Sequence, residues 1–116
     1  TIQNGEFALE TGVKVNVNKN TSSSNINEKY FNPIRVYKSH ELVVSREQEF
    51  SVVVIEVYYS NGADTYITAL AGTTLPEGAT MTNVDNVFTL VFVSPVTSFS
   101  MVMDNAQVRI NSIEVK

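Results

Sequence analysis

Tyr37, Tyr58 and Tyr66, together with Arg35, Asn61 and Asp64, are the residues through which this sequence could hold a ligand. A sugar ring is recognised by the flat face of an aromatic side chain and by a few polar groups that fix its orientation. Tyr30, Phe31, Tyr59 and Asn32 add to the same inventory. In an extended segment Arg35 and Tyr37 share one face, opposite Ile34 and Val36. That pair can form a binding platform, and it can equally serve as a cross-strand contact that steadies a sheet. If Ile55, Val57 and Tyr59 point into a core, Tyr58 points outward beside Glu56. Tyr30 and Phe31 fit equally well as plugs for the open end of a sandwich.

Other chemistry finds less support. Asp64, Asp85 and Asp104 fall at segment ends, where carboxylates and backbone carbonyls can gather round Ca²⁺, a cation that takes about six to eight oxygens. These acids are scattered singly, and turns account for them, so no cofactor or metal is expected. His40 stands alone and lacks the partners of a catalytic triad or a zinc site; its place between Ser39 and Glu41 predicts a solvent-exposed turn residue. Glycoside hydrolysis needs two carboxyl groups facing one another at roughly 5–10 Å. Glu56 and Glu114 are strand acids flanked by apolar residues, each expected to face solvent. There is no H-E-x-x-H, phosphate-binding loop, G-x-S-x-G or EF-hand spacing, and with no cysteine there is no thiol nucleophile. The chain is not expected to be an enzyme.

The elements that must position these residues are strands. A chain of 116 residues fits one domain, residues 1–116. Apolar residues make up 43% and charged residues 17%, a balance that argues against disorder. Eight basic residues among twelve acidic ones leave a net charge of −4, so the basic patch that nucleic-acid binding requires is missing. The longest apolar run, Val52 to Ile55, is far too short to span a membrane, and the first ten residues carry no export signal. Neither nucleic acid nor membrane is an expected partner.

Period-two alternation dominates. Val13, Val15 and Val17 alternate with Lys14, Asn16 and Asn18. Residues 20–29 read as a long polar loop. Ile34 to Tyr37 and Leu42 to Ser45 are short strands joined by a tight turn, and Phe50 to Tyr59 is a strand covered on both faces or broken by a bulge. Ser60-Asn61-Gly62 is a turn, with Asp64 to Leu70 as the returning strand and Ala71 to Ala79 as a loop. Met81 and Val84 lead into Val87 to Val93, whose Phe88, Leu90 and Phe92 share a face; Ser94-Pro95 should end it. Phe99, Met101 and Met103 mark the next strand, Asp104-Asn105 a turn, and Gln107 to Val115 the last, with a bulge near Asn111-Ser112 where the parity slips. About eight strands with frequent turns predict an all-β antiparallel sandwich, in jelly-roll form.

Four segments carry a resemblance: Gly12-Val13-Lys14-Val15, Asn32-Pro33-Ile34-Arg35-Val36-Tyr37-Lys38, Val52 to Tyr59, and Gln107-Val108-Arg109-Ile110-Asn111-Ser112-Ile113-Glu114-Val115. They resemble the strand patterns of a bacterial β-sandwich module, akin to carbohydrate-binding modules, that recurs in secreted and surface proteins. The resemblance touches most of the chain from Gly12 onward. It implies a jelly-roll-like fold and an accessory position beside other domains, outside the cell or on its surface. The chain departs from it in having no Trp, where the family strand before the C-terminal pair often carries one. The function expected is a non-catalytic accessory or binding module whose partner is a glycan or cell-surface polymer. The alternative is a structural or assembly module, such as a spacer or a phage decoration or fibre domain, with no small-molecule ligand.

Overall fold

The computed structural model describes residues 4–8, 12–20, 34–59 and 64–116. The polar stretch 21–29, Tyr30, Phe31, Asn32 and the Ser60-Asn61-Gly62 turn lie outside the described residues. Within them the chain forms strands β1 (Asn4–Ala8), β2 (Lys14–Asn18), β3 (Ile34–Val36), β4 (Glu41–Val57), helix α1 (Thr65–Ala71), and strands β5 (Ala79–Val84), β6 (Val87–Val102) and β7 (Val108–Val115). All strand pairs are antiparallel, and the fold is all-β, with a single curled sheet and one short helix.

β4 is the spine of that sheet. β6 runs along one side of it from end to end. On the other side β2 pairs with Glu41 to Ser45, and β7 pairs with Val53 to Val57. The ladder with β6 breaks around Phe50, with register shifts on both sides of that residue. Irregularities of this kind bend a strand and increase its twist. The sequence reading divided β4 into two strands and ended β6 at Ser94-Pro95. Both strands instead run on through the bend, and this is the physical reason Pro95 is tolerated. It lies exposed where the β4–β6 register is broken, so its missing N–H costs no ladder bond.

Arg46 secures the bend. Its Nε donates to Gln48 O at 3.1 Å, Nη2 to Glu49 O at 2.8 Å and Nη1 to Val115 O at 3.4 Å. The guanidinium also lies 5.7 Å from the Phe50 ring centroid. One side chain therefore satisfies carbonyls at the break and ties them to the end of β7. Beneath it Phe50 meets Phe92 and Phe99 edge-on, at centroid distances of 6.5 and 6.2 Å, so the bend closes over an aromatic cluster.

The alternation expected of the strands is present. Val13, Val15, Val17, Leu42, Val44, Val53, Ile55, Val57, Phe88, Leu90, Phe92, Phe99, Met101 and Met103 are buried in one continuous core. The expected parity slip in the last strand is also found: Glu56 pairs with Ser112 and Val57 with Ile110, which leaves Asn111 as the extra residue.

Two local expectations are corrected. Asp64 to Leu70 is not a strand, because α1 occupies Thr65–Ala71. Tyr66, Ala69, Leu70 and Thr73 recur at helical spacing, and Ala69, Leu70 and Thr73 are buried. A helix of seven residues is held by that tertiary burial rather than by propensity. His40 is not solvent-exposed, being 1% accessible. Ser39 takes the left-handed conformation (φ 72°), which turns the chain so that His40 Nδ1 accepts the Tyr37 N–H at 3.3 Å. The imidazole packs edge-on against the Tyr37 ring. The chain reversal at 38–41 was legible, but its inward-facing member was not.

Candidate functional site

At one end of the molecule three segments converge: the residues that follow β4, the start of α1, and the turn between β5 and β6. The β4–β6 register brings them together, because Glu56 pairs with Val87 and Val84 pairs with Val87 across the Asp85-Asn86 turn. Asp85 adopts φ 51°, a conformation that Asp and Asn tolerate better than most residues. Asn83 Nδ2 donates to Asp85 O at 3.0 Å, and Asn86 Nδ2 donates to Val57 O at 2.9 Å. The Val57 N–H in turn donates to Asn86 O. These bonds fix both amide planes and clamp the turn to the end of β4.

The result is a concavity of about 560 Å³ lined by Tyr59, Asp64, Ile67, Asn83, Asp85 and Asn86. Tyr59 is 48% exposed, so its ring is open to a ligand. The expectation that Tyr59 faces the core and Tyr58 faces solvent is thereby reversed. β4 ends at Val57, and strand alternation no longer governs the residues beyond it. Tyr58 is held to β7 by its N–H, which donates to Arg109 O, and it is half-buried against Tyr66 at a centroid distance of 6.3 Å.

The remaining expected site residues are placed as follows. Asp64 lines the concavity and sits at the N-terminus of α1, where its side chain makes no capping hydrogen bond. Tyr66 covers Arg109, whose guanidinium carbon lies 5.3 Å from the ring centroid. Arg109 Nε is buried without a hydrogen-bond partner among the described residues, and the negative face of the Tyr66 ring offers the cation an electrostatic contact. Arg35 pairs across β3–β7 with Arg109, so two cations neighbour one another on one sheet face. Tyr37 meets the His40 ring edge-on, and its N–H donates to His40 Nδ1. Asn61 lies outside the described residues. Thus Tyr58, Tyr66 and Arg35 gather around Arg109, and Asp64 joins a separate group with Tyr59.

Asn83 and Asn86 were missed as site residues, and Asp85 was weighed only as a calcium ligand. Their only sequence signal is a turn-forming Asn-Val-Asp-Asn run, which by itself marks a reversal. Among the calcium candidates, Asp64 and Asp85 share the concavity while Asp104 does not. Asp104 accepts the Thr74 N–H at 3.1 Å, and the Thr74 side chain and backbone donors hold its carboxyl below the ordinary value. Among the described residues no three His, Asp or Glu side chains are grouped to hold a metal.

A second depression of about 400 Å³ lies at the bend, lined by Gly12, Lys14, Ser45, Arg46, Glu47, Thr97 and Ser98. Its arginine is already committed to the carbonyls described above. Comparison with known proteins finds no matching family model, no similar curated protein and no similar solved structure.

Proposed function

We propose that the chain is a non-catalytic accessory module of a secreted or cell-surface protein that binds a carbohydrate, a free glycan or a surface polymer, in the Tyr59 concavity. The fold that accompanies this reading is a jelly-roll-like sandwich whose layers are the two arms of the curled sheet. The observation that carries the binding role is the wall itself: a half-exposed tyrosine ring beside two carboxylates and two amides held in place by backbone contacts. A ring face with a few fixed polar groups is the arrangement suited to a sugar. The resemblance of Ile34 to Lys38 and Gln107 to Val115 to strands of accessory modules supports the placement outside the cell.

A glycan array followed by calorimetric titration tests this reading. Saturable binding to at least one glycan is expected, weakened about tenfold or more in Tyr59→Ala. Binding unchanged in Tyr59→Ala, or no glycan bound at millimolar concentration, would refute it.

One observation favours a structural or assembly role as a second reading. β5 ends the sheet path with β6 as its only neighbour among the described strands. Its sequence, Ala79-Thr80-Met81-Thr82-Asn83-Val84, contains no charge and no proline. Val84, Val91 and Val93 are 78%, 45% and 86% exposed on the same hairpin. An unguarded edge of this kind is a template for strand addition. Light scattering decides the point: a stable oligomer that Thr82→Lys dissociates favours assembly, and a monomer at all concentrations removes it.

A further inference from the structure

We infer that the outer face of the β5–β6–β4–β7 arm is the surface on which two copies of this chain pack, sheet against sheet. The inference stands apart from the carbohydrate reading, and the surface differs from the unpaired β5 edge. Strand register defines the face. Val91 pairs with Thr80 of β5 and Val52 of β4, and Thr89 pairs with Thr82 and Val54. Alternation turns these side chains away from the core that holds Leu90, Phe92, Val53 and Ile55. The exposed large aliphatic residues among the described ones are Val84, Val87, Val91 and Val93, and all four lie on this face. Val52 and Val54 stand half-buried beside them. A single exposed valine is ordinary, whereas a contiguous group marks a contact surface.

Charge identifies the occupant. The Val and Thr side chains of the face are neutral, in a chain whose net charge is −4. The nearest charges stand at its rim and are engaged there: Lys116 pairs with Glu114 at 3.7 Å, and Asn111 donates to Glu56 at 3.4 Å. Two copies can therefore meet here without forcing like charges together, while a partner of opposite charge finds nothing to recognise. Rows of Val and Thr form a corrugated surface that meshes with its own copy at about 10 Å between sheets. Val52 to Ile55 have the pattern of a strand buried on both faces. The core covers Val53 and Ile55, and the second copy covers Val52 and Val54. Four strands about 4.8 Å apart, over about 20 Å from Val87 to Val93, present about 400 Å² of sheet per copy. About 800–1,000 Å² over both copies is the size of a weak, reversible association.

Sedimentation equilibrium of the full chain from about 10 μM to 1 mM tests this, and a reversible passage from monomer to dimer is expected within that range. Val91→Lys and Val93→Lys, both at exposed positions, should each weaken dimerisation about tenfold or more with the circular dichroism spectrum unchanged. Val54→Thr keeps the side-chain shape and adds a hydroxyl, and it should weaken the dimer about threefold or more. Position 54 lies two strands in from the β5 edge, so strand addition at that edge would not respond to it. A monomer at all concentrations overturns the inference, as does a dimer that survives both lysine substitutions. A dimer weakened by Thr82→Lys but not by Val91→Lys or Val54→Thr is edge pairing through β5, which also overturns it. If one lysine variant loses the native spectrum, the other and Val54→Thr decide. None of these outcomes bears on glycan binding in the Tyr59 concavity, which is read separately.

Discussion

Replacing Arg46 with Ala should reveal how far a single side chain holds the bent sheet together. Its guanidinium donates to Gln48 O, Glu49 O and Val115 O and lies over the Phe50 ring. The bonds to Gln48 and Glu49 are exposed, so water replaces much of what is lost, and each contributes about 0.5 kcal/mol net. The part-buried bond to Val115 is long at 3.4 Å and contributes a similar amount, as does the contact with Phe50. The expected loss is about 2 kcal/mol, or a fall in melting temperature of about 8 °C for a domain of this size. The chain has five Tyr and no Trp, so urea unfolding is followed by far-ultraviolet circular dichroism with tyrosine fluorescence as a second probe. The midpoint should fall with an unchanged slope, since the surface exposed on unfolding is the same. Arg46→Lys should recover less than half of the loss, because an ammonium cannot reach three divergent carbonyls as a planar fork does. An Arg46→Ala protein within about 0.5 kcal/mol of the original would show that the bend needs no such tie.

Three further outcomes follow from the packing. His40→Ala should cost about 2–4 kcal/mol in chemical denaturation, because it empties a buried site and leaves the Tyr37 N–H without its acceptor. Gly72→Ala should cost about 1–2 kcal/mol, since a Cβ there would stand 2.5 Å from Asn105 Nδ2, which donates to Ala69 O; in an Asn105→Ala background that cost should largely vanish, as a double-mutant cycle would show. The Asp104 carboxyl is held below its ordinary value of 3.8, chiefly by the Thr74 side chain and then by the Thr74 N–H. Its folded form therefore favours the ionised state, and the stability it contributes is present above the unfolded value and lost as pH falls through the folded one. Acid titration of melting temperature should accordingly be shallower in Asp104→Asn over the range below 3.8.

The strand faces were legible because alternation is a local property. Val13, Val15 and Val17, and likewise Phe88, Leu90 and Phe92, declare which way they point without reference to the rest of the chain. The continuity of β4 and β6 was not legible. Charged Arg46, Glu47 and Glu49 interrupt the apolar rhythm of β4, and Pro95 interrupts β6, so each reads as the end of a strand. Only the three-carbonyl contact of Arg46 and the broken register opposite Pro95 explain why both run on. His40 misled for a related reason. A polar residue in a turn belongs by type to the surface, and its burial follows from the left-handed Ser39 that swings it inward. The helix was present as the Tyr66, Ala69, Leu70, Thr73 spacing, but Thr65, Tyr66, Ile67 and Thr68 favour strands by composition. The short pattern could not outweigh them until Leu70 was seen to have a core to enter.

The candidate site was the hardest part to foresee, and the cause is topological. Tyr59, Asp64 and Asp85 lie on three segments whose meeting depends on a pairing between Glu56 and Val87 that spans about a quarter of the chain. Asp64 drew attention as a polar residue near aromatic ones, but its partners Asn83, Asp85 and Asn86 carry the same residue types that any tight turn would choose. Their second use becomes visible only when the turn is clamped beside the end of β4 through Val57 and Asn86. Asn86 itself is fixed by the backbone, whereas among the described residues no hydrogen bond to the Asp85 carboxylate holds the turn. If the turn needed only to reverse the chain, Asn or Gly at position 85 would serve as well. A substitution there that spares stability but changes binding therefore separates the turn's structural role from its use as one wall of a site.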